Sequence, residues 1–401
     1  MWCKMDDQKL VRTFKFRLYP SQIQQKILEQ HFFLCAEVYN TLLSVKFEEG
    51  LSLFDLQKET LRDLKICNSE FGQVHSQVLQ EVARRVTKSF ENYQNRKQAG
   101  IKPAGKPRYK SENSVTSITY PQSGFKIENQ KLSLSKIGLI SIKKHRQIGG
   151  KIKTLTIKKE KTGKWYACFA TECNIIKKKH PHQERVVGLD AGLTNLLATS
   201  EEELIENKRF LIDSERKINR LQMLLSKKYK GSNNWQKARI KLAKRHEKVK
   251  NQRDSYLHLI SKKLVGSYDI IIAEDLPIKK MMQSSYLAKS VSDASWGKLF
   301  RMIEYKAESA GTQFIQINPR GTSQICLCGA KVKKTLKERI HSCPQCGIKE
   351  DRDIHSSKIL VDRYRRNYGN SSLTELFQAG KAMTQETTNL RSGSSQKSVF
   401  N

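Results

Sequence analysis

The chain lacks any apolar run that approaches the ~18 residues of a membrane-spanning helix, so no transmembrane segment is expected. Its opening, MWCKMDDQKL, has no apolar core of the kind that marks a secretory signal. Acidic residues are scarce: 39 Asp and Glu stand against 74 Lys and Arg, a net charge of +35 over 401 residues. Such an excess repels itself in a compact state and serves no purpose in a free enzyme of small metabolites. A polyanion partner is the simplest reason to keep it, and nucleic acid is the first candidate. Cysteine is present in an odd number, nine, with four clustered late. That pattern excludes a disulfide framework and points to a reducing, cytoplasmic compartment and a metal site. No internal repeat of fixed period is visible. The hydrophobic fraction, 38%, suffices for packed cores, and the length allows two to four domains.

Local patterning divides the chain. Residues 11–19, VRTFKFRLY, alternate as a strand that Pro20 and Ser21 stop. The next thirty residues carry Ile23, Ile27, Phe32, Cys35, Val38 and Leu42 at helical spacing, and further helical stretches run to about Asn95. Residues 97–115 form a basic Gly/Pro/Lys loop. Strand signals return in TSITY, GLISI, KTLTI and WYACFATE between 116 and 173, which reads as a small barrel that the first strand joins. Trp165 and Tyr166 read as barrel core, with base stacking the lesser alternative. Residues 174–183 read as a linker. VVGLDAGLTNLLATS (186–200) gives two buried strands around a Gly turn. Residues 212–265 hold 16 Lys/Arg against 4 Asp/Glu, a net +12, in a helical hairpin broken at Gly231. Its apolar faces would be Ile218, Leu221, Met223, Leu224 and Leu225, then Ile240, Leu242, Val249, Leu257 and Ile260. YDIIIAEDL (268–276) and QFIQINP (313–319) are strands, 294–310 and 353–367 helices, and the Ser/Thr/Gln/Asn-rich tail from 371 disordered.

Three acids sit where chemistry favours them. Asp190 closes the apolar strand VVGLD, Glu274 closes IIIAE, and Asp353 opens the last helix. A carboxylate in such surroundings needs a partner or a metal. Two strand-end acids and one helix-start acid can converge on a pair of Mg2+ ions, which take oxygen ligands and support phosphodiester hydrolysis. A single acid at such a position is usually a turn residue or helix cap, and the neighbouring Asp275 and Asp351 are expected to point elsewhere.

Residues 326–346 carry Cys326 and Cys328 one residue apart, then Cys343 and Cys346 as a Cys-x-x-Cys knuckle, with 14 residues between the pairs. Four thiolates in two close pairs make a structural zinc site with no open position. His341 is a substitute ligand should one Cys fail to reach. Cys3, Cys35, Cys67, Cys168 and Cys173 are scattered and read as small apolar core residues.

The order GLDAGLTNLLATS, basic hairpin, IIIAEDL, LAKSVSDASWGKLFRMIEYKAESAG, NPRGTSQICLCG and CPQCGIKEDRDIHSSKIL resembles that of TnpB proteins. FRLYPSQIQQ, KPAGKPRYKS, ITYPQSGFKI and KIKTLTIKKEKTGKWYACF extend the resemblance over roughly residues 11–367. The resemblance implies an α/β multi-domain protein, an RNA-guided DNA endonuclease encoded by an insertion sequence. It would open double-stranded DNA beside a short transposon-adjacent motif and cut both strands in one RuvC-like, RNase H-type site. The catalytic acids would be Asp190, Glu274 and Asp353, binding two Mg2+. One Zn2+ would sit on Cys326, Cys328, Cys343 and Cys346. Residues 1–20 would be the first strand of a wedge β-barrel, 21–115 a helical recognition domain, and 116–180 the rest of the barrel. Residues 181–320 would be the nuclease, 321–350 the zinc ribbon, 351–370 the last nuclease segment, and 371–401 the tail. The partners would be a guide RNA from the element end, one protein per RNA, and target DNA, with no membrane. A small type V CRISPR effector and a guided but non-cleaving repressor are the alternatives; a eukaryotic relative would be nuclear. A DDE transposase is disfavoured by the late ribbon and the lack of an obvious helix-turn-helix.

Four departures stand out. The first Cys pair is spaced by one residue where the family usually has two. His355 replaces the usual Asn, Ser356 and Ser357 replace small alanines, and Gly321 stands where an aromatic is common. Phosphate neutralisation is expected from Lys227, Lys228, Lys230, Arg239 and Lys241 of the hairpin, from Lys102, Lys106 and Arg108 of the loop, and from the Lys run 176–179. Ser76, Gln77 and Gln80, on the helix after His75, are candidates to read base edges of the flanking motif; the plainer reading is a polar helix surface.

Overall fold

A computed structural model of the chain describes residues 9–49, 52, 55–111, 114–174, 185–335 and 338–368. The chain divides into two compact units, 1–174 and 175–401. The Lys run 176–179, most of the linker, Cys3 and the tail from 371 lie outside the described residues.

The N-terminal unit is built on a seven-stranded antiparallel sheet. Strand β1 (Lys9–Tyr19) leads into helix α1 (Gln22–Glu49), then α2 (Leu61–Cys67) and α3 (Ser76–Gln98). Six strands follow: β2 (Ser117–Tyr120), β3 (Phe125–Glu128), β4 (Lys131–Leu134), β5 (Gly138–Lys143), β6 (Lys151–Lys159) and β7 (Trp165–Asn174). Their order is β2-β6-β7-β1-β5-β4-β3, so the first strand lies in the middle of the sheet. It pairs with β7 from Lys9↔Asn174 to Leu18↔Trp165 and with β5 at Arg17↔Lys143. Successive side chains of a strand face opposite ways. Phe16 and Leu18 are therefore buried with Trp165, Ala167 and Phe169 opposite. The same cluster takes in Leu28, Phe32, Val38 and Leu42 of α1, and Val78, Leu79, Val82 and Val86 of α3. Phe32 stacks on Trp165 with ring centroids 5.5 Å apart.

Three details differ from the expectation. Ile23 is 73% exposed because it precedes the stretch of α1 that meets the sheet. Cys67 is exposed, and Cys168 and Cys173 are half-buried, so of the scattered cysteines described only Cys35 belongs to a core. The sequence pattern does not separate the hairpin β3–β4; its strands, FKIE and KLSL, alternate, but four residues each is the shortest window in which alternation can be read.

The C-terminal unit is built on a five-stranded sheet. It contains β8 (Val186–Asp190), β9 (Asn195–Thr199), β10 (Leu204–Glu206), β11 (Ile270–Glu274) and β12 (Gln313–Ile317), in the order β10-β9-β8-β11-β12. The pairs β8·β11 and β11·β12 are parallel; the other two are antiparallel. Helices α4 (Phe210–Ser226) and α5 (Asn233–Ser267) form the basic hairpin. Helices α6 (Ile278–Met281), α7 (Ala288–Ala294) and α8 (Trp296–Ala310) precede β12. A small hairpin, β13 (Ile340–Ser342) with β14 (Lys349–Asp351), precedes α9 (Arg352–Tyr368).

Helices cover both faces of this sheet. Leu257, Ile260 and Leu264 of α5 and Trp296, Leu299 and Ile303 of α8 pack on one face, with Val187, Leu189 and Ile271. Leu360, Val361 and Tyr364 of α9 pack on the other, with Ile270 and Ile272. Burial on both sides explains why β11 is a continuous apolar run. The approach of α9 is close. A Cβ on Gly188 would lie 2.1 Å from the carbonyl oxygen of Ser357, so β8 tolerates no side chain there. On α4, Ile218 is buried, but Met223 and Leu224 are exposed, against expectation. The buried side chains of α5 all lie in its C-terminal part: no described side chain between 233 and 248 is fully buried, although Arg245 donates to Ser214 Oγ of α4 at 3.0 Å. Among the described residues, no helix is long and apolar enough to cross a membrane.

Candidate active site and metal centre

The pleat of the second sheet places the acids. The register Ile270↔Val186 to Ala273↔Leu189 ends both parallel strands side by side, at Glu274 and Asp190. Ile270, Ile272 and Glu274 point to one face, and Val186, Gly188 and Asp190 share it. That face carries α9, whose first turn holds Asp353. The Asp353 carboxylate lies 3.6 Å from where a Cβ on Gly192 would be, in the loop that follows Asp190. The structure thus brings the three sequence-predicted acids to one end of the sheet. Burial, then the charges of Glu274 and Asp353, push the Asp190 carboxyl well above the usual carboxylate range. Burial also raises Glu274, offset by Thr322 and by the positive charge of Arg363.

Neighbours hold two of the acids in place. Thr322 Oγ1 donates to Glu274 Oε1 at 2.6 Å. Arg339 Nη1 lies 3.6 Å from Asp353 Oδ2 and Arg352 Nε 3.4 Å from Oδ1. Arg339 also donates to Thr194 Oγ1 at 2.8 Å, so it spans from the Cys-rich segment to the loop after Asp190. Sequence reasoning missed Thr322, Arg339, Arg352 and Arg363, because no spacing rule links them to the acids; only the fold does. The two neighbouring acids behave as expected. Asp351 Oδ1 accepts from the backbone of Asp353 and Ile354, capping α9, and Asp275 is exposed. An excess of buried carboxylate oxygen with incomplete compensation suits a hard divalent cation.

The four cysteines converge. Their sulfurs all lie within 4.8 Å of one another, with Cys326–Cys346 at 3.5 Å and Cys328–Cys343 at 3.7 Å. A tetrahedral ion with ~2.3 Å bonds to sulfur needs edges of about 3.8 Å, so the set fits zinc. The one-residue gap is absorbed by a turn in which the Gly329 amide donates to the Cys326 carbonyl at 2.8 Å. Backbone amides, Cys346 foremost, pull the Cys343 thiol down to about 6, as a thiolate ligand requires. Burial pushes Cys326 up to about 12 in the metal-free protein. His341 also lies near Cys326, together with His355. Its ring stacks on His355 at 3.5 Å and 12°, and its Nδ1 meets Lys334. Parallel rings direct their in-plane lone pairs along separate planes, so the two imidazoles cannot converge on one ion.

The departures find physical reasons. His355 is fully buried, with Nδ1 at 2.6 Å from Glu350 Oε1 and Nε2 at 3.2 Å from the Ile325 carbonyl. It ties the first turn of α9 to the residue before Cys326. Gly321 has φ +79°, a left-handed conformation that disfavours an aromatic. Ser356 and Ser357 are both buried, and the Ser357 hydroxyl donates to the Ile354 carbonyl at 2.6 Å.

The basic candidates are at the surface. Lys102, Lys106, Arg108, Lys227, Lys228, Lys230, Arg239 and Lys241 are all exposed, and the Arg239 guanidinium lies over the Trp235 ring. Ser76 and Gln80 are exposed on α3. Gln77 Oε1 accepts from the Ser123 amide and hydroxyl, so its carbonyl end is engaged in holding the β2–β3 turn. Trp165 is core, whereas Tyr166 is half-buried beneath Lys15 and Arg17.

Three family profiles match the chain. That for OrfB of IS605, described as a probable transposase, matches residues 158–285, and the Cas12f1-like TNB domain matches 296–360. A helix-turn-helix profile matches 10–49, where the structure has strand β1 and one continuous helix α1. The chain is 29% identical to a Streptomyces pristinaespiralis protein named "Putative RNA-guided DNA endonuclease", covering 88% of this chain and 89% of that one. It is 28% identical to the Escherichia coli (strain K12) protein "Putative RNA-guided DNA endonuclease InsQ", covering 95% and 98%. Over most of its length the chain is similar to TnpB proteins. A mimivirus relative, "TnpB-like protein L79", is 23% identical over 88% of the chain and 73% of its own length. Among solved structures, CasPhi-2 (Cas12j) bound to crRNA overlaps with a TM-score of 0.47 at 8% identity, covering 88% of this chain and 98% of that one. The OrfB profile spans Asp190 and Glu274, and the TNB profile spans the four cysteines and Asp353.

Proposed function

We propose that this protein is an RNA-guided endonuclease of an insertion sequence, hydrolysing both strands of DNA beside a short transposon-adjacent motif at Asp190, Glu274 and Asp353. The observation that carries the reading is the meeting of the three acids at one sheet end, where Asp190 is pushed toward its protonated form. The sheet order, with three parallel strands continued by two antiparallel ones, supports an RNase H-like nuclease. A relative named as an RNA-guided DNA endonuclease aligns over nearly the whole chain. The net charge of +35 matches a guide RNA and a heteroduplex as partners.

Asp190 and Glu274 would hold two Mg2+ ions with Asp353; the ions would activate water and stabilise the leaving oxygen. Thr322 keeps Glu274 facing the site. Arg352 and Arg339 hold the Asp353 carboxylate in the metal-free protein. The four thiolates would hold one Zn2+, which fixes the ribbon that supplies Arg339 to the site. The test is Asp190→Ala, assayed with the co-purified RNA and a matching duplex in Mg2+. Cleavage is expected to vanish while RNA and DNA binding persist. Cleavage at the wild-type rate, or loss of binding together with cleavage, would overturn the assignment.

A further inference from the structure

The N-terminal unit contains a cavity of about 420 Å3, remote in sequence from Asp190, Glu274 and Asp353 and from the four clustered cysteines. It lies between α1, α3 and the segment that leads into β2. Its size falls within the ~300–1,000 Å3 of small-ligand sites. Its floor is apolar: the Cys35 thiol, the Tyr39 ring, Val82 and Ile118. Its rim carries three cations, Arg85, Lys88 and Lys110, and no carboxylate lines it among the described residues.

Parts of this rim are fixed before any ligand arrives. Arg85 donates to Thr119 Oγ1 at 2.6 Å and to the Ser117 carbonyl at 3.3 Å. The Lys110 backbone is clamped by Asn40, which donates to its carbonyl at 2.9 Å and accepts from its amide at 2.6 Å. The Lys110 ammonium lies 5.2 Å from the centroid of the Tyr39 ring. Lys88 and Asn92 are exposed at the mouth. A bare phosphate would not need the apolar floor, and a hydrocarbon ligand would not need three cations. A flat ring joined to a phosphate satisfies both halves, and amide and hydroxyl groups at Asn92 and Ser89 can meet a base edge.

We propose that this pocket takes a single unstacked nucleotide, its base against Tyr39, Val82 and Ile118 and its phosphate at Lys88 and Lys110. A base offers its face to protein only once it has left the stack. The pocket is therefore a site for one extruded or unpaired nucleotide of a bound strand, and it rests on the reading that this protein handles nucleic acid.

The experiment uses the full chain with its co-purified RNA and duplexes carrying single 2-aminopurine substitutions, a base whose fluorescence rises on unstacking. Free adenosine and cytidine 5′-monophosphates are titrated in parallel. One position in the strand is expected to change fluorescence on binding. The exposed variants Lys88→Glu and Asn92→Asp should weaken that signal roughly tenfold, the scale of one lost hydrogen bond to a charged group. Val82→Phe, which fills the floor, should abolish it, and Asp190→Ala should leave it intact. Competition by the free monophosphates supports the pocket as a nucleotide site in its own right; signal from the strand alone supports an occupant delivered by the strand. A 2-aminopurine signal at no position, or one unmoved by both Lys88→Glu and Asn92→Asp, overturns the proposal. Guided cleavage that survives beside a silent pocket sinks the pocket alone. Monophosphate binding that Lys88→Glu removes, in a protein without guided cleavage, keeps the pocket and sinks the nuclease reading.

Discussion

The two units treat buried polarity in opposite ways. Among the described residues, the N-terminal unit buries only His31, Thr119 and Thr171 as polar side chains, all uncharged groups within an apolar core. The C-terminal unit buries Glu274, Asp293, Asp353, His341 and His355, besides seven serines and threonines. Burying charge costs several kcal/mol per ion unless a partner or a metal compensates. The second unit accepts that cost at the sheet end where the acids meet and at the base of the Cys-rich segment. The first unit is a scaffold held by apolar area, with its charge kept on the surface. The difference sets the unit that carries the three acids and the four cysteines apart from the one whose core is almost wholly apolar.

The largest expected effect sharpens this contrast. Asp190→Asn should lower the cleavage rate on the order of 10³-fold or more, as loss of a central catalytic group does. Without metal it should also raise stability. The folded-state pKa of Asp190 lies above its unfolded value. The favourable contribution is then complete only below the unfolded pKa and is lost as pH rises through the folded one. At neutral pH the ionised carboxylate is a burden, and its removal should raise Tm by about 2–4 °C, the shift given by ~1 kcal/mol in a unit of this size. Calorimetry in EDTA checks this; an unchanged or lower Tm would break the account of strained acids.

Next comes the metal. Cys343→Ser, or a strong chelator, should strip zinc and destabilise the C-terminal unit by several kcal/mol, with the N-terminal transition unmoved. Elemental analysis with two-transition calorimetry reads both. Zinc retained at one equivalent in Cys343→Ser would defeat the four-thiolate set.

A buried charge outside the site offers a third test. Asp293 accepts from the Leu211 amide at 3.1 Å, from the Ile212 amide at 3.4 Å, and from Arg253 Nη2 at 2.6 Å. It thus fastens the start of α4 and the middle of α5 to α7. Asp293→Ala strands all three donors and should cost about 3–5 kcal/mol. Urea melts followed by Trp296 fluorescence would show it, and a loss below ~1 kcal/mol would mean that water replaces the carboxylate.

The smallest effect belongs to the scaffold. Burial pushes His31 down from 6.5 to about 4. Its stabilising contribution is complete above pH 6.5 and is lost as pH falls toward 4, because the unfolded chain takes the proton first. The N-terminal unit should lose roughly 1.4 kcal/mol per pH unit across that window. His31→Leu should flatten the slope in denaturant melts at pH 4–7. A slope that survives the substitution would locate the titration elsewhere.

Much of this was legible in the residues themselves. Alternation in β1 and the apolar run of β11 marked strands, since burial on one face or two imposes those patterns. Met223 and Leu224 misled, because helical spacing shows that a face exists without showing that anything covers it. The β3–β4 hairpin was hidden by the shortness of its strands, four residues each. Asp190, Glu274 and Asp353 were legible as strand-end and helix-start acids, and the cysteines as two pairs. Nothing local marked Thr322, Arg339 or Arg363 as their neighbours.

By itself, then, the sequence determined the kinds of element, the donor types of both candidate sites and the strongly basic character of the chain, because periodicity, ligand type and net charge are local or additive properties. Tertiary structure alone decided the rest. The register of β8 on β11 puts Asp190 beside Glu274, Gly188 lets α9 close over them, and the fold brings the four cysteine sulfurs within 4.8 Å of one another. These are long-range contacts, set by which surfaces pack, and no window along the chain contains both partners.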